Sequence, residues 1–329
     1  AAVAPQAQSG PAEIVLERFP ASGATASIRL LLLATTPDPA VHRPQDGLAL
    51  LANGRGAMCR MHADLGRIAS KYDCLLGANL HATAPCDRHV LVKRLRAWVD
   101  ADGFITPLDA ANLADFRAGP PATWDFVASA GDGRTVELRL TVDLLHGRNA
   151  VVARFERPAA APRWGRALPP EARVAVTVRL DIEDRSFHGE TRRSPEAEAH
   201  LAGATACAAD GFACTFAPDR RLAARTDRGA FHVAPEWCEG IPHPVEAGRG
   251  MAGSGDAWSP GWFGLPLAEG EAATLVVHAD AVAPPAAEVA GFAEARRART
   301  ADTLARANLP GQDDFGRTLA TALQAFVVR

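Results

Sequence analysis

Thr135-Val136-Glu137-Leu138-Arg139-Leu140-Thr141-Val142-Asp143-Leu144-Leu145 decides the fold, because apolar side chains fill every second position from Val136 to Val142. That is the period of a strand with one face buried and the other wet. Gly131-Asp132-Gly133 precedes it and His146-Gly147-Arg148-Asn149 follows it, and both are turn sequences. Residues 124–128 and 150–157 therefore flank it as antiparallel neighbours in a meander.

The same pattern extends outward. Residues 89–99 alternate around Val90, Val92 and Trp98 before the turn Asp100-Ala101-Asp102-Gly103, and residues 173–183 alternate through Val174, Val176, Val178, Leu180 and Ile182. Residues 261–267 pair with 272–279 across Ala268-Glu269-Gly270-Glu271. Strands from Glu13 to Ala279 without long helices between them predict a mainly β chain. The expected form is a large antiparallel β sandwich (super-sandwich), not a doubly wound α/β fold. Beyond Val282 the stiff connector Ala283-Pro284-Pro285-Ala286 leads into helical spacing over 288–307 and 314–328, with Phe315, Leu319, Ala322, Leu323 and Phe326 on one stripe. The expected organisation is a disordered lead-in over 1–11, a sandwich domain over 12–281 and two linker helices over 282–329.

Composition narrows the function. A net charge of −3 and a pI near 6.4 give no basic surface to attract phosphate backbones, so no nucleic-acid partner is expected. Lys71 and Lys93 are the only lysines among 35 basic residues, which reads as coding bias. No run approaches the ~18–20 apolar residues of a membrane span, and no membrane partner is expected; Leu30-Leu31-Leu32-Leu33, just after Arg29, reads as a buried strand. The first ten residues lack the cationic and apolar regions of a secretory signal. Six dispersed cysteines without a Cys-x-x-Cys pair point to reduced thiols in a cytoplasmic protein.

Catalytic motifs are missing. Gly54-Arg55-Gly56 is a fragment of a dinucleotide fingerprint with Cys59 at the third glycine position, and it reads as a turn. No Walker loop, Gly-x-Ser-x-Gly or His-Glu-x-x-His occurs, and His81 and His89 around Cys86 read as an incidental hairpin cluster. No catalytic residue, metal or cofactor is nominated. In the irregular stretch 237–263, Trp237, Trp258 and Trp262 stand near Glu236, Glu239, Glu246, Arg249 and Asp256. Aromatic faces beside carboxylates and Arg suit a sugar, so Trp237, Glu246, Arg249, Asp256, Trp258 and Trp262 are carbohydrate-binding candidates. Anchoring of a long loop onto the sheet is the favoured role for the same residues, with Glu246 and Arg249 as a salt bridge.

Leu51-Ala52-Asn53-Gly54-Arg55-Gly56-Ala57-Met58 and Ser70-Lys71-Tyr72-Asp73-Cys74-Leu75-Leu76 resemble the opening motifs of bacterial and archaeal glycogen-debranching enzymes of the amylo-α-1,6-glucosidase type. Asp73 and Cys74 stand where that family carries His and Gly. Leu91-Val92-Lys93-Arg94-Leu95, His146-Gly147-Arg148-Asn149 and the segment from Arg185 to Arg192 follow in the family's order. So do Trp237, His243-Pro244-Val245-Glu246, Arg249-Gly250 and Asp256-Ala257-Trp258-Ser259-Pro260-Gly261, with His243 for the usual Tyr and Gly255 for the usual Glu. The last eleven residues, from Leu319 to Arg329, resemble the entry into the family's catalytic α/α barrel. The resemblance implies a non-catalytic N-terminal domain that packs on that C-terminal barrel and helps bind α-glucan, either glycogen or limit dextrin. It implies that the hydrolytic carboxylate pair lies in the barrel, so no independent hydrolysis is expected. The alternatives are a protein-interaction sandwich without glucan binding, or a self-sufficient glycosidase using Glu236, Glu239 and Asp256.

Overall fold

A computed structural model describes residues 10–17, 25–32, 47–81, 87–309 and 313–328. The chain forms two compact units, residues 1–43 and 44–329. In the first, β1 (Gly10–Glu17) and β2 (Thr25–Leu32) make an antiparallel hairpin. Gly10 and Pro11 of the expected lead-in thus open a strand, while residues 1–9 and Leu33 lie outside the described residues.

The second unit holds the sandwich. Its strands are β3 (Leu48–Ala52), β4 (Met58–His62), β5 (Cys74–Asn79), β6 (Arg88–Ala101), β7 (Phe104–Pro107), β8 (Leu113–Arg117), β9 (Ala122–Ser129), β10 (Thr135–Leu144), β11 (Ala150–Glu156) and β12 (Val174–Ser186). After helix α1 (Pro195–Ala204) come β13 (Thr205–Ala208), β14 (Gly211–Ala217), β15 (Arg220–Thr226) and β16 (Ala230–Pro242), then the single turn α2 (Pro244–Ala247), β17 (Ser254–Pro266) and β18 (Ala272–His278). One sheet runs β13-β14-β15-β18-β11-β10-β9-β8, and the other runs β16-β17-β12-β6-β5-β4-β3 with β7 on β6. Each strand pair is antiparallel.

Val136, Leu138, Leu140 and Val142 all point into the core, as their period requires. They meet Trp124, Phe126, Phe155, Phe212 and Phe263, fully buried rings that each remove roughly 150–250 Å² from water. The β6 pattern departs from expectation. Leu91, Leu95, Ala97 and Val99 join the core, whereas Trp98 lies half-buried on the outer face beneath the Arg96 guanidinium. The reason is a bulge: Arg94 pairs with Asp181 and Val92 with Ile182, leaving Lys93 as an extra residue. A second shift between Ile182 and Arg185 lies beside it in β12. Bulges re-aim side chains, and these two aim Lys93, Glu183 and Arg185 at one place.

The expected helix over 288–307 is broken at Gly291 into α3 (Ala286–Ala290) and α4 (Phe292–Ala307), followed by α5 (Asp314–Leu323). Phe292 seats α4 on Leu145, Ala150 and Val152. Arg296 donates from Nε and Nη2 to Asp143, at 2.9 and 2.7 Å, and from Nη2 to the Leu144 carbonyl at 2.9 Å. Asp143, outward by the alternation of β10, is therefore fully buried beneath a helix. No helix among the described residues is long and apolar enough to cross a membrane.

Candidate functional site

The loop 69–73 between β4 and β5 carries buried Lys71 and Asp73 and is bound by buried Lys93, Arg185 and Glu246. Asp73 is fully buried and accepts from the Ala69 and Ser70 amides at 2.7 and 2.9 Å, from His62 Nε2 at 3.0 Å, and from Arg60. Burial pushes its carboxyl up, but these donors outweigh it and hold the pKa below the ordinary value. An aspartate at this position thus closes the loop on itself.

Lysine and arginine grip the loop from outside. Lys93, at 1% exposure, donates to the carbonyls of Ser70 and Lys71 at 3.1 and 2.9 Å. Arg185 adds a 2.6 Å bond to the Lys71 carbonyl and pairs with buried Glu183 at 2.8 Å. Burial pulls the Lys93 ammonium down to about 8, against the opposing pull of Glu183. Burial likewise raises the Glu183 carboxyl, against Arg185 and Lys93. Lys71 itself is buried, its ammonium 2.8 Å from the His188 carbonyl and 3.1 Å from Glu190. Both lysines of the chain therefore serve one loop. Coding bias overlooked them. Their signal is their presence in a chain where 33 of 35 basic residues are Arg: the compact Lys93 ammonium reaches two neighbouring carbonyls of the loop from a fully buried position.

Glu246 closes the third side. Its fully buried carboxylate accepts from Ser70 Oγ at 2.8 Å and from the Lys71 amide at 2.9 Å. Burial opposes ionisation there, but these donors keep its pKa below the ordinary value. Arg249, the partner that spacing suggested, is exposed and forms no ion pair among the described residues. His243, which caps α2, is 1% exposed with neither ring nitrogen hydrogen-bonded. Its ring occupies space that a side chain at 255 would need: a Cβ on Gly255 would lie 2.8 Å from His243 Cε1. The two departures from the family pattern, His243 and Gly255, thus compensate each other.

His243 makes the fold acid-sensitive. Burial, then Lys93, depress its pKa to about 4, with Glu246 opposing. Above its ordinary value of about 6.5 the ring is neutral folded or unfolded. As pH falls below that, the unfolded chain takes the proton first, so stability drops by about 1.4 kcal/mol per unit until the folded value is reached. Relative to the unaltered chain, His243→Leu is expected to gain about 2 kcal/mol at pH 5 over its effect at pH 7. Urea unfolding at both pH values measures this, and the paired comparison cancels the carboxylates; an unchanged difference refutes it.

The remaining candidates separate by environment. Asp256 is buried and accepts from the Arg193 and Gly240 amides, each at 2.8 Å. Trp258 is buried opposite Trp237, which packs half-buried against the core. Trp262 is half-buried and stacks on His232 with centroids 3.9 Å apart. Glu236 pairs with Arg96 and Arg179 at 3.0 and 3.3 Å, and Glu239 with Arg193 at 2.6 Å. His81 pairs with Asp87 at 3.3 Å, while Cys86 lies outside the described residues. Among the described residues, no three His, Cys, Asp or Glu side chains are grouped to hold a metal ion.

A second polar cluster joins the other early motif to the meander turn. Asn53 Oδ1 accepts from the Arg55 and Ala57 amides, while its Nδ2 donates to the Arg148 carbonyl at 2.7 Å. Gly54 adopts φ +72°, and a Cβ there would sit 2.7 Å from the His146 ring. Short sequence matches spread over some two hundred residues thus converge in two places. Residues 49–274 match the family described as glycogen debranching enzyme N terminal. The chain belongs to that family. The glycogen debranching enzyme N-terminal match covers β4 to β17 completely, and with them the whole of the clamped loop and its clamps. No curated protein matches this chain. Among solved structures, the "Putative kojibiose phosphorylase from human microbiome" matches with 7% identity and a TM-score of 0.33, over 88% of this chain. The chain spans 37% of that protein's length.

Proposed function

We propose that this glycogen debranching enzyme N-terminal domain is a non-catalytic α-glucan-binding module that packs on the C-terminal α/α-barrel catalytic domain of a longer debranching-type protein. The family match over 49–274 is the observation that carries the reading. It is supported by the buried charges spent on the shape of one surface loop, an arrangement that favours precise presentation over stability. Of the six carbohydrate candidates, Trp262 and Arg249 have side chains with access to a ligand, whereas Glu246, Asp256 and Trp258 act by ordering the structure beneath it. The described cysteines are free thiols, in keeping with a reducing, cytoplasmic setting. Calorimetry and affinity electrophoresis with maltoheptaose and glycogen test the reading: saturable binding without hydrolysis is the expected result, and no binding defeats it.

A second reading, an interaction module without glucan binding, draws on α5. Phe315, Leu319 and Leu323 are exposed along it, with Phe326 just beyond. Self-association in sedimentation, abolished by Leu319→Glu, together with no glucan binding, would favour it.

A further inference from the structure

We propose that Tyr72, Phe187 and His188, with Glu190 at their edge, form a preformed platform for one pyranose ring of an α-glucan, and that the buried clamp of Lys93, Arg185, Glu183 and Glu246 exists to hold it. The proposal rests on the glucan reading above and assigns the contact to residues outside the stretch 237–263.

The geometry is that of a rigid aromatic surface. Tyr72 and Phe187 have centroids 4.7 Å apart, and His188 meets each of them edge-on, at 5.7 and 5.5 Å. Tyr72 Oη lies 3.1 Å from His188 Nδ1, which fixes the imidazole. Arg88 sits over the Phe187 ring at 5.5 Å and Lys71 over the Tyr72 ring at 5.6 Å, so a cation braces each of the two rings. Tyr72 and Phe187 are half-buried and His188 is exposed.

The backbone beneath has no freedom to relax. The Ser70 and Lys71 carbonyls are held by Lys93 and Arg185, and the Lys71 amide by Glu246. Arg185 also binds the Phe187 carbonyl at 3.1 Å, and Lys71 the His188 carbonyl at 2.8 Å. The same cations therefore set both halves of the platform, although 116 residues separate Tyr72 from His188. Burying so many charges is stabilising only marginally, if at all, and what these charges order is a patch of surface. A preordered surface loses little entropy on binding.

The ligand class follows from the chemistry. Aromatic faces accept the C–H face of a pyranose, and His188 Nε2 and Glu190 Oε2, which have no hydrogen-bond partner among the described residues, are placed for its hydroxyls. Lys71 pairs with Glu190 Oε1 and lowers the local negative charge, which suits a neutral sugar better than a cation.

Tyr72 is the only tyrosine, so 3-fluorotyrosine incorporation places a single ¹⁹F resonance in the site. With maltoheptaose as the probe, that resonance is expected to shift saturably. Tyr72→Ala is expected to weaken calorimetric binding at least tenfold, and His188→Ala severalfold, with the folded circular dichroism spectrum retained. Trp164→Ala, at an exposed tryptophan outside both candidate surfaces, should leave affinity within twofold. Calorimetric binding with an unmoved resonance, or with full affinity in Tyr72→Ala, overturns the platform and leaves the glucan reading standing. Absence of binding by the unaltered chain removes both.

Discussion

Lys93→Met is expected to lower the stability of the sandwich by about 3–5 kcal/mol, the range for removing one member of a buried charge cluster. The side chain is 1% exposed, so water cannot replace the ammonium. The Ser70 carbonyl loses the Lys93 bond, the Lys71 carbonyl keeps only Arg185, and Glu183 faces one cation instead of two. Methionine fills most of the volume, so a cavity contributes little. Lys93→Arg is expected to fare no better, because a larger planar guanidinium must displace its neighbours at a position only 1% exposed between β5 and β12. Adding Glu183→Gln to Lys93→Met should recover part of the loss by removing the unpaired carboxylate. Urea unfolding of the three variants measures this, and a cost below about 1 kcal/mol for Lys93→Met would show that the ammonium is not what holds the loop. Against a total stability of about 5–15 kcal/mol for a domain, the expected loss is large.

The fold was legible where the local pattern was the whole cause. Val136 to Val142 alternate, Gly131-Asp132-Gly133 turns, and the meander follows. Legibility failed where a contact distant in sequence reversed a local rule. Trp98 reads as a core residue by period, but the bulge at Lys93 puts it outside. Asp143 reads as solvated by period, but Arg296, 153 residues on, buries it. The helix over 288–307 reads as continuous, but Gly291 ends one helix and begins another.

The site followed the same division. The resemblance gathered the right segments, because their order is a property of the chain, yet gave no hint that Ser70, Lys93, Arg185 and Glu246 meet. Their bonds to the loop span from 22 to 176 residues, beyond the reach of any motif spacing. Tryptophans drew attention to 237–263 because large rings are conspicuous in a sequence with only 6% aromatics. The structure gives most of those side chains anchoring contacts, whereas the proposed platform joins Tyr72 of the 69–73 loop to Phe187 and His188 just after β12, and the sequence signal nearest to it is two lysines in an arginine-rich chain.

The Arg296–Asp143 pair anchors α4 on the sandwich, beside the packing of Phe292 and the Arg148–Glu288 pair of α3, and Arg296→Met is expected to cost about 3 kcal/mol and to loosen α4. Arg296 makes five hydrogen bonds: three to Asp143 and one each to the Ala52 and Leu144 carbonyls. Without it, Asp143 keeps only the Leu144 amide at 2.9 Å inside a fully buried position. Phe292, with Ala293 and Val289 beside it, then holds the helices to Leu145, Ala150 and Val152, and the rest of α4 is mostly polar. Arg299, one turn further on, makes no hydrogen bond to Asp143 among the described residues, and its Nε is buried without a partner. Amides of residues 292–307 should consequently exchange much faster with solvent deuterium while those of β10 and β11 keep their protection. Asp143→Asn combined with Arg296→Met should restore about half of the stability but not the helix protection, because the neutral amide no longer demands a cation yet offers nothing for α4 to grip. If α4 stays protected in the single variant, packing around Phe292 and not the ion pair positions the helix on the sandwich.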